Sequence, residues 1–149
     1  MARRGTAIVE TTKGILLVKE ATDGRYALPG GQAKQGESRL NAAIRELYEE
    51  TGLQAIIAKE LFPFTTNSVS GRQTDHKAIL IKAKGDLSMT GSFTAKGTSY
   101  EVLGVGFFNL KYLNQPDLSR YQGHVYACLN QYINGYQDTN YFSDGIKFR

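Results

Sequence analysis

Three glutamates, Glu46, Glu49 and Glu50, stand at i, i+3 and i+4 in the run Arg-Glu-Leu-Tyr-Glu-Glu. On a helix that spacing gathers their carboxylates on one face. For stability alone the arrangement is poor. Each like-charge neighbour costs roughly 0.2–0.5 kcal/mol, and a carboxylate in the last turn opposes the helix dipole by about 0.3–1 kcal/mol. A hard divalent cation reverses the balance. Mg²⁺ takes octahedral oxygen ligands, keeps several waters, and is held by a few carboxylates together with substrate phosphates. A charge run on a helix is also the pattern of a solvated face, so the surrounding residues must decide.

The elements that would position these glutamates are legible nearby. Residues 38–51 carry Leu40, Ala43, Ile44 and Leu47 at helical spacing, one apolar stripe suited to packing on a sheet. The carboxylate face lies roughly 100° from that stripe. Ser38 or Glu37 can cap or charge the helix start, and Gly52 is placed for the left-handed residue that ends a helix. Just upstream, Arg25-Tyr26-Ala27-Leu28-Pro29-Gly30-Gly31 reads as a strand end followed by a turn. Pro29 fixes φ and donates no ladder bond, while Gly30 and Gly31 permit positive φ and close backbone approach. A Pro-Gly-Gly run is also an ordinary turn. Here it directly abuts the segment that carries the glutamates.

Taken together, residues 31–53 read GQAKQGESRLNAAIRELYEETGL. This resembles the Nudix box, GX5EX7REUXEEXGU with U a bulky aliphatic, at every specified position. Gly31, Glu37, Arg45, Glu46, Glu49, Glu50 and Gly52 are the fixed residues, and Leu47 and Leu53 fill the U positions. At roughly 7% usage per fixed residue, a chance match in one register is on the order of 10⁻⁸.

The resemblance implies an α/β fold, an α/β/α sandwich with a mixed sheet packed between helices. It also implies a hydrolase that uses Mg²⁺, or Mn²⁺ in its place, to cleave a phosphoanhydride in a small nucleotide such as a (d)NTP or a nucleotide sugar. Glu46, Glu49 and Glu50 would be metal ligands. Glu37 would support a second metal or the loop, and Arg45 would orient a box carboxylate. The Gly31 carbonyl, with Gly30 next, would complete the set.

One glutamate of the box, or an outlying carboxylate, would take the proton from water. The family commonly adds such a carboxylate from a later loop. Here Glu101 precedes Gly106-Phe107-Phe108-Asn109-Leu110, which resembles the family's aromatic strand end with Phe107 where Trp is usual. Asp75 and Asp86 are the other candidates, and Glu101 reads equally as a surface charge. His76, on an alternating strand, reads as structural rather than catalytic. Tyr26, Phe62 and Phe64 are either base-stacking residues or core. No subfamily string downstream of the box names a nucleotide. Two alternatives stay open: action on the 5′ triphosphate end of RNA, and a non-catalytic nucleotide sensor, which would normally have lost box carboxylates.

Composition bounds the rest. A chain of 149 residues suits one domain, 1–149. Its net charge of +4 favours anionic ligands, but Lys and Arg are scattered without a basic run, which argues against nucleic acid. No run of eighteen apolar residues marks a membrane span. Arg3 and Arg4 mimic a signal-peptide start, yet the apolar runs after them are short and interrupted. A single cysteine, Cys128, forbids an intrachain disulfide and fits a reducing, cytoplasmic setting; its helical position reads as core.

Strands are expected at 5–11, 14–19, 26–28, 53–64, 76–83 and 100–110, with a bulge or close packing at Gly104 and Gly106. A loop is expected at 67–74, and a longer loop or a weak hairpin at 85–97. A second helix is expected over 119–133, with Val125, Cys128, Leu129 and Tyr132 on one side. The tail 135–149 holds Tyr136, Tyr141, Phe142 and Phe148, aromatics dense enough to dock on its own domain or on a second subunit in a homodimer.

Overall fold

The computed structural model describes residues 2–68, 70–87, 93–94 and 101–148, with the side chains of 93, 94 and 101–103 left aside. The described strands are β1 (Ala2–Ile8), β2 (Glu10–Thr11), β3 (Gly14–Glu20), β4 (Tyr26–Ala27), β5 (Gly30–Gln32), β6 (Gln54–Asn67), β7 (Gln73–Leu87), β8 (Phe93–Thr94), β9 (Glu101–Phe108) and β10 (Gly145–Phe148). The helices are α1 (Arg39–Thr51) and α2 (Gly123–Ile133). One mixed sheet runs β10-β7-β1-β5 with β6 on the other side of β7, and a second runs β2-β3-β9-β8 with β4 on β3. They meet where the Leu16 amide donates to the Val9 carbonyl at 3.0 Å.

Strand alternation explains the layers. Ile8, Ile15, Leu17, Ala78 and Leu80 point to one face and pack with Val125, Cys128, Leu129 and Tyr132 of α2. Ala7, Val9, Leu16, Ile79 and Ile81 point to the other and pack with Ala43 and Leu47 of α1. Runs such as Ala7-Ile8-Val9 are continuously apolar because both faces are covered. The result is the expected α/β/α arrangement, a curled mixed sheet between two helices.

Several boundaries differ from expectation, each for a non-local reason. The strand expected over 5–11 begins at Ala2 and is divided at Val9, where the chain passes from one sheet to the other. Gly30 and Gly31, expected in a turn, form β5 against Thr6 and Gly5 of β1. Only glycine fits at 30: its φ is +154°, and a Cβ there would sit 2.2 Å from the Gly5 carbonyl oxygen. β6 and β7 extend into the expected loop 67–74, and β7 continues past Gly85 because β10 pairs parallel with its residues Lys84 to Leu87. The aromatic tail therefore docks on its own sheet. α2 begins at Gly123, because Arg120 and Gln122 are engaged with the backbone of Tyr26. The register slip on β9 falls opposite Lys19 and Glu20, and a Cβ on Gly106 would lie 2.6 Å from the Tyr26 ring.

Candidate active site

The carboxylate helix is fixed at both ends. Ser38 caps it by accepting from the Asn41 amide at 3.0 Å, and Gly52 closes it at φ +77° with its amide on the Tyr48 carbonyl. Its apolar side sits so close to β1 that a Cβ on Gly5 would lie 2.1 Å from the Arg39 carbonyl oxygen. That contact holds α1 against the sheet and brings its last turns beside β5.

Arg45 is the hub of the polar face. Its Nε and Nη2 donate to Glu37 Oε2 and Oε1, each at 2.9 Å. Its Nη1 donates to Glu46 Oε1 at 2.9 Å and to Glu49 Oε2 at 3.1 Å, and Nη2 also reaches the Gln32 carbonyl at 3.2 Å. The Arg45 hydrogen bonds hold Glu37 down to about 2. In turn these carboxylates push Arg45 further above its ordinary range, Glu37 foremost. Three of the expected residues are thus drawn together by a fourth.

Glu50 is turned differently. Its Oε1 accepts from the Gly30 amide at 2.9 Å. Burial pushes its carboxyl up to about 8, against the opposing pull of Arg4 and of the Gly30 amide. Glu46 is also raised, first by burial, with Arg45 opposing and the charge of Glu49 adding. Removing water from several acids on one face makes their ionisation costly until a cation arrives.

The glycines upstream touch this face directly. A Cβ on Gly31 would lie 2.4 Å from Glu46 Cδ, so no side chain fits between strand and carboxylate. Gly31 and the Glu46 carboxylate are thereby brought close together, and carboxylate oxygens suit a hard cation. As the chain stands, Arg45 occupies Glu37, Glu46 and Glu49. Accordingly, among the described residues no group of three or more His, Cys, Asp and Glu side chains is arranged to hold a metal ion without rearrangement.

The outlying candidates fare differently. Asp75 is tied to Arg39 at 2.9 Å, and Asp86 lies towards the end of β7 in register with Lys147. The side chain of Glu101 lies outside the described residues; its backbone starts β9 opposite Thr94. His76 is held on both nitrogens at 2.8 Å, by Thr6 Oγ1 and Thr66 Oγ1, and is stacked on Phe64 at 4.3 Å. Burial pushes it down to about 3, with the charges of Arg4 and Arg39 adding. Phe62 and Phe64 belong to the core beneath α2.

Two residues that sequence reasoning missed lie beside the carboxylate face. Arg4, read only as a possible leader residue, donates from Nη2 to the Leu28 carbonyl at 2.8 Å. Glu20, at the end of β3, accepts from Gln122 Nε2 at 3.0 Å, and its charge is felt at Glu50. Elsewhere, an aromatic pocket of about 370 Å³ is lined by Phe107, Phe108, Tyr112, Tyr121 and Tyr126 with polar neighbours, none of them a box residue.

A family model described as NUDIX domain matches residues 1–127. The chain belongs to the Nudix family. Among solved structures, a provisionally assigned Nudix hydrolase family member from Chromobacterium violaceum is 31% identical, covering 95% of this chain and 83% of that one, with a TM-score of 0.66. A MutT Nudix hydrolase from Burkholderia pseudomallei shares the Nudix fold at a TM-score of 0.68 and 22% identity, covering 87% and 96% of the two chains. A Bacillus subtilis (strain 168) protein, provisionally named an 8-oxo-dGTP diphosphatase, is 39% identical over 54 residues, 36% of this chain. The Nudix chain spans 36% of the length of that relative. Among the described residues no helix is long and apolar enough to cross a membrane.

Proposed function

We propose that this Nudix chain hydrolyses a phosphoanhydride in a small nucleotide, with Mg²⁺ as the working metal and Mn²⁺ as a substitute. The observation that carries the reading is the acidic face of α1: Glu46, Glu49 and Glu50 on its last turns, Glu46 and Glu50 drawn out of water, against a strand whose Gly31 leaves no room for a side chain. Gly31, Glu37, Glu46, Glu49 and Glu50 would hold the metal. When bound, the metal supplies charge neutralisation for the phosphates and a more acidic water.

The chain's own residues do the rest. Arg45 holds Glu37, Glu46 and Glu49 through ion pairs that metal entry would have to exchange. One of the box glutamates, or Glu101, would take the proton from the attacking water. The relative named an 8-oxo-dGTP diphosphatase favours a nucleoside triphosphate, oxidised or not, over a nucleotide sugar. Retention of every box carboxylate speaks against a non-catalytic sensor.

A panel of dNTPs, 8-oxo-dGTP, nucleotide sugars and 5′-triphosphorylated RNA, each with Mg²⁺ and a readout of released phosphate or pyrophosphate, tests the reading. Turnover of a free triphosphate is the expected result. Turnover confined to RNA ends, or none on any substrate, would overturn it.

A further inference from the structure

His124 sits in the first turn of α2, just past the Gln122 cap, and is buried. Its Nε2 accepts from the Leu28 amide at 3.1 Å. That bond completes a ladder which the backbone cannot complete. Tyr26 lies against the chain that enters α2, in a parallel bridge with Tyr121. Its amide donates to the Arg120 carbonyl at 2.8 Å, and its carbonyl accepts from the Gln122 amide at 2.9 Å. The next bond of a parallel ladder would run from the Leu28 amide to the Gln122 carbonyl. Gln122, however, already begins the helix, and its carbonyl accepts from the Val125 amide at 3.0 Å. The amide of fully buried Leu28 would then lack an acceptor. His124 supplies a ring nitrogen in place of that carbonyl.

The residues that follow Leu28 are the ones pressed on the acidic face. The Leu28 carbonyl accepts from Arg4 Nη2 at 2.8 Å, and the Pro29 carbonyl from the Ala7 amide at 2.8 Å. The Gly30 amide donates to Glu50 Oε1 at 2.9 Å, and Gly31 lies against Glu46. Proline has no N–H, so the amide before the one that Glu50 receives is the one that His124 receives. α2 therefore holds one end of residues 28–30, and α1 takes the other.

The ring is kept in the form this bond needs. A nitrogen that receives an N–H carries no proton of its own, which leaves the ring proton on Nδ1. Burial, then the charges of Arg4 on β1, His76 on β7 and Arg25 just before β4, hold the imidazole well below its ordinary 6.5.

We propose that His124 is a positioning residue for the metal-binding face: by receiving the Leu28 amide it fixes Gly30 and Gly31 against Glu50 and Glu46. The metal half of this assignment rests on the function proposed above; the coupling of α2 to the glycine strand does not.

The test compares full-length wild type with His124→Leu, which removes the acceptor, and His124→Gln, whose side-chain oxygen can stand in for Nε2. Amide hydrogen exchange in EDTA is the first readout. The Leu28 and Gly30 amides should lose at least about tenfold in protection in His124→Leu while those of Ile79 and Ile81 hold, and His124→Gln should restore them. Mn²⁺ binding, followed by electron paramagnetic resonance without substrate, is the second. Affinity should fall about tenfold in His124→Leu and return to within about threefold of wild type in His124→Gln.

Unchanged protection at Leu28 and Gly30, loss spread equally over β7, or a His124→Gln variant as impaired as His124→Leu would overturn the assignment. If His124→Leu fails to fold, nitrogen-15 spectra of wild type decide: Nδ1 protonated and a bare Nε2 coupled to the Leu28 amide are expected, and a protonated Nε2 overturns it. A wild type that binds no Mn²⁺ would sink the proposed function, while the exchange arm still judges His124.

Discussion

Arg45 and Glu37 meet in a two-point contact, Nε to Oε2 and Nη2 to Oε1, both at 2.9 Å, across the turn that leads into α1. The same guanidinium reaches Glu46 and Glu49 on its other side. One side chain thus fixes both the loop and the acidic face. Lysine carries the charge without the planar fork. Arg45→Lys should therefore lower kcat/KM at least about tenfold and reduce the melting temperature by a few degrees. Steady-state kinetics and thermal unfolding check this, and wild-type values in both would show that Arg45 orders nothing.

Glu50 gives a pH signature in metal-free protein. Its folded carboxyl keeps its proton to about 8, while the ordinary value is 4.5. Between those values the native state holds a proton that the unfolded state has lost, so stability falls as pH rises through that window. Glu50→Gln cannot titrate. Its unfolding free energy, measured by denaturant melts in EDTA, should gain on wild type from pH 4.5 to 8 and then run parallel. Parallel curves throughout would mean that Glu50 is ordinarily ionised and solvated.

His76 works in the opposite sense. Its folded value is pushed down to about 3 from 6.5, so its contribution is complete above 6.5 and is lost as pH falls towards 3. From pH 6 to 4 the stability advantage of wild type over His76→Asn should shrink by about 1.4 kcal/mol per pH unit. A constant difference would show that the imidazole protonates freely in the native state.

Glu101 is placed only by its backbone, at the start of β9 where Val102 pairs with Glu20. If it is base or ligand, Glu101→Gln should lower kcat while affinity for a non-hydrolysable nucleotide analogue stays within about twofold. Unchanged kinetics would return the base to the box glutamates.

The parts of the molecule that were legible in the sequence are those set by local rules. Ser38, the Leu40 to Leu47 stripe and Gly52 define α1 through capping and helical periodicity, and both-face burial makes β1, β3 and β7 apolar runs. The tail's strand was not legible, because β10 exists only where β7 outruns β1 and leaves Lys84 to Leu87 without a neighbour on that side. β5 was hidden for a similar reason: Pro-Gly-Gly has turn chemistry, and only contact with Gly5 and Thr6 makes it a strand. Arg4 did leave a trace. With Thr6 and Ile8 it occupies alternate positions of one strand, so a charge stood on an inward-facing row. What it faces depends on the pairing of β1 with β5, which no local pattern encodes.

The acidic face of α1 as a metal-dependent catalytic centre is tested most directly by kcat of Glu49→Gln on the wild type's substrate, measured with saturating Mg²⁺ beside wild type with Mg²⁺ and in EDTA. The account predicts no turnover by wild type in EDTA and at least about a hundredfold lower kcat in the variant. Metal-free stability of the variant should stay within about 0.5 kcal/mol, because Glu49 gives up a single partly exposed pair. Undiminished turnover in EDTA, or a variant that keeps wild-type kcat while its metal-free melting temperature falls, would contradict it.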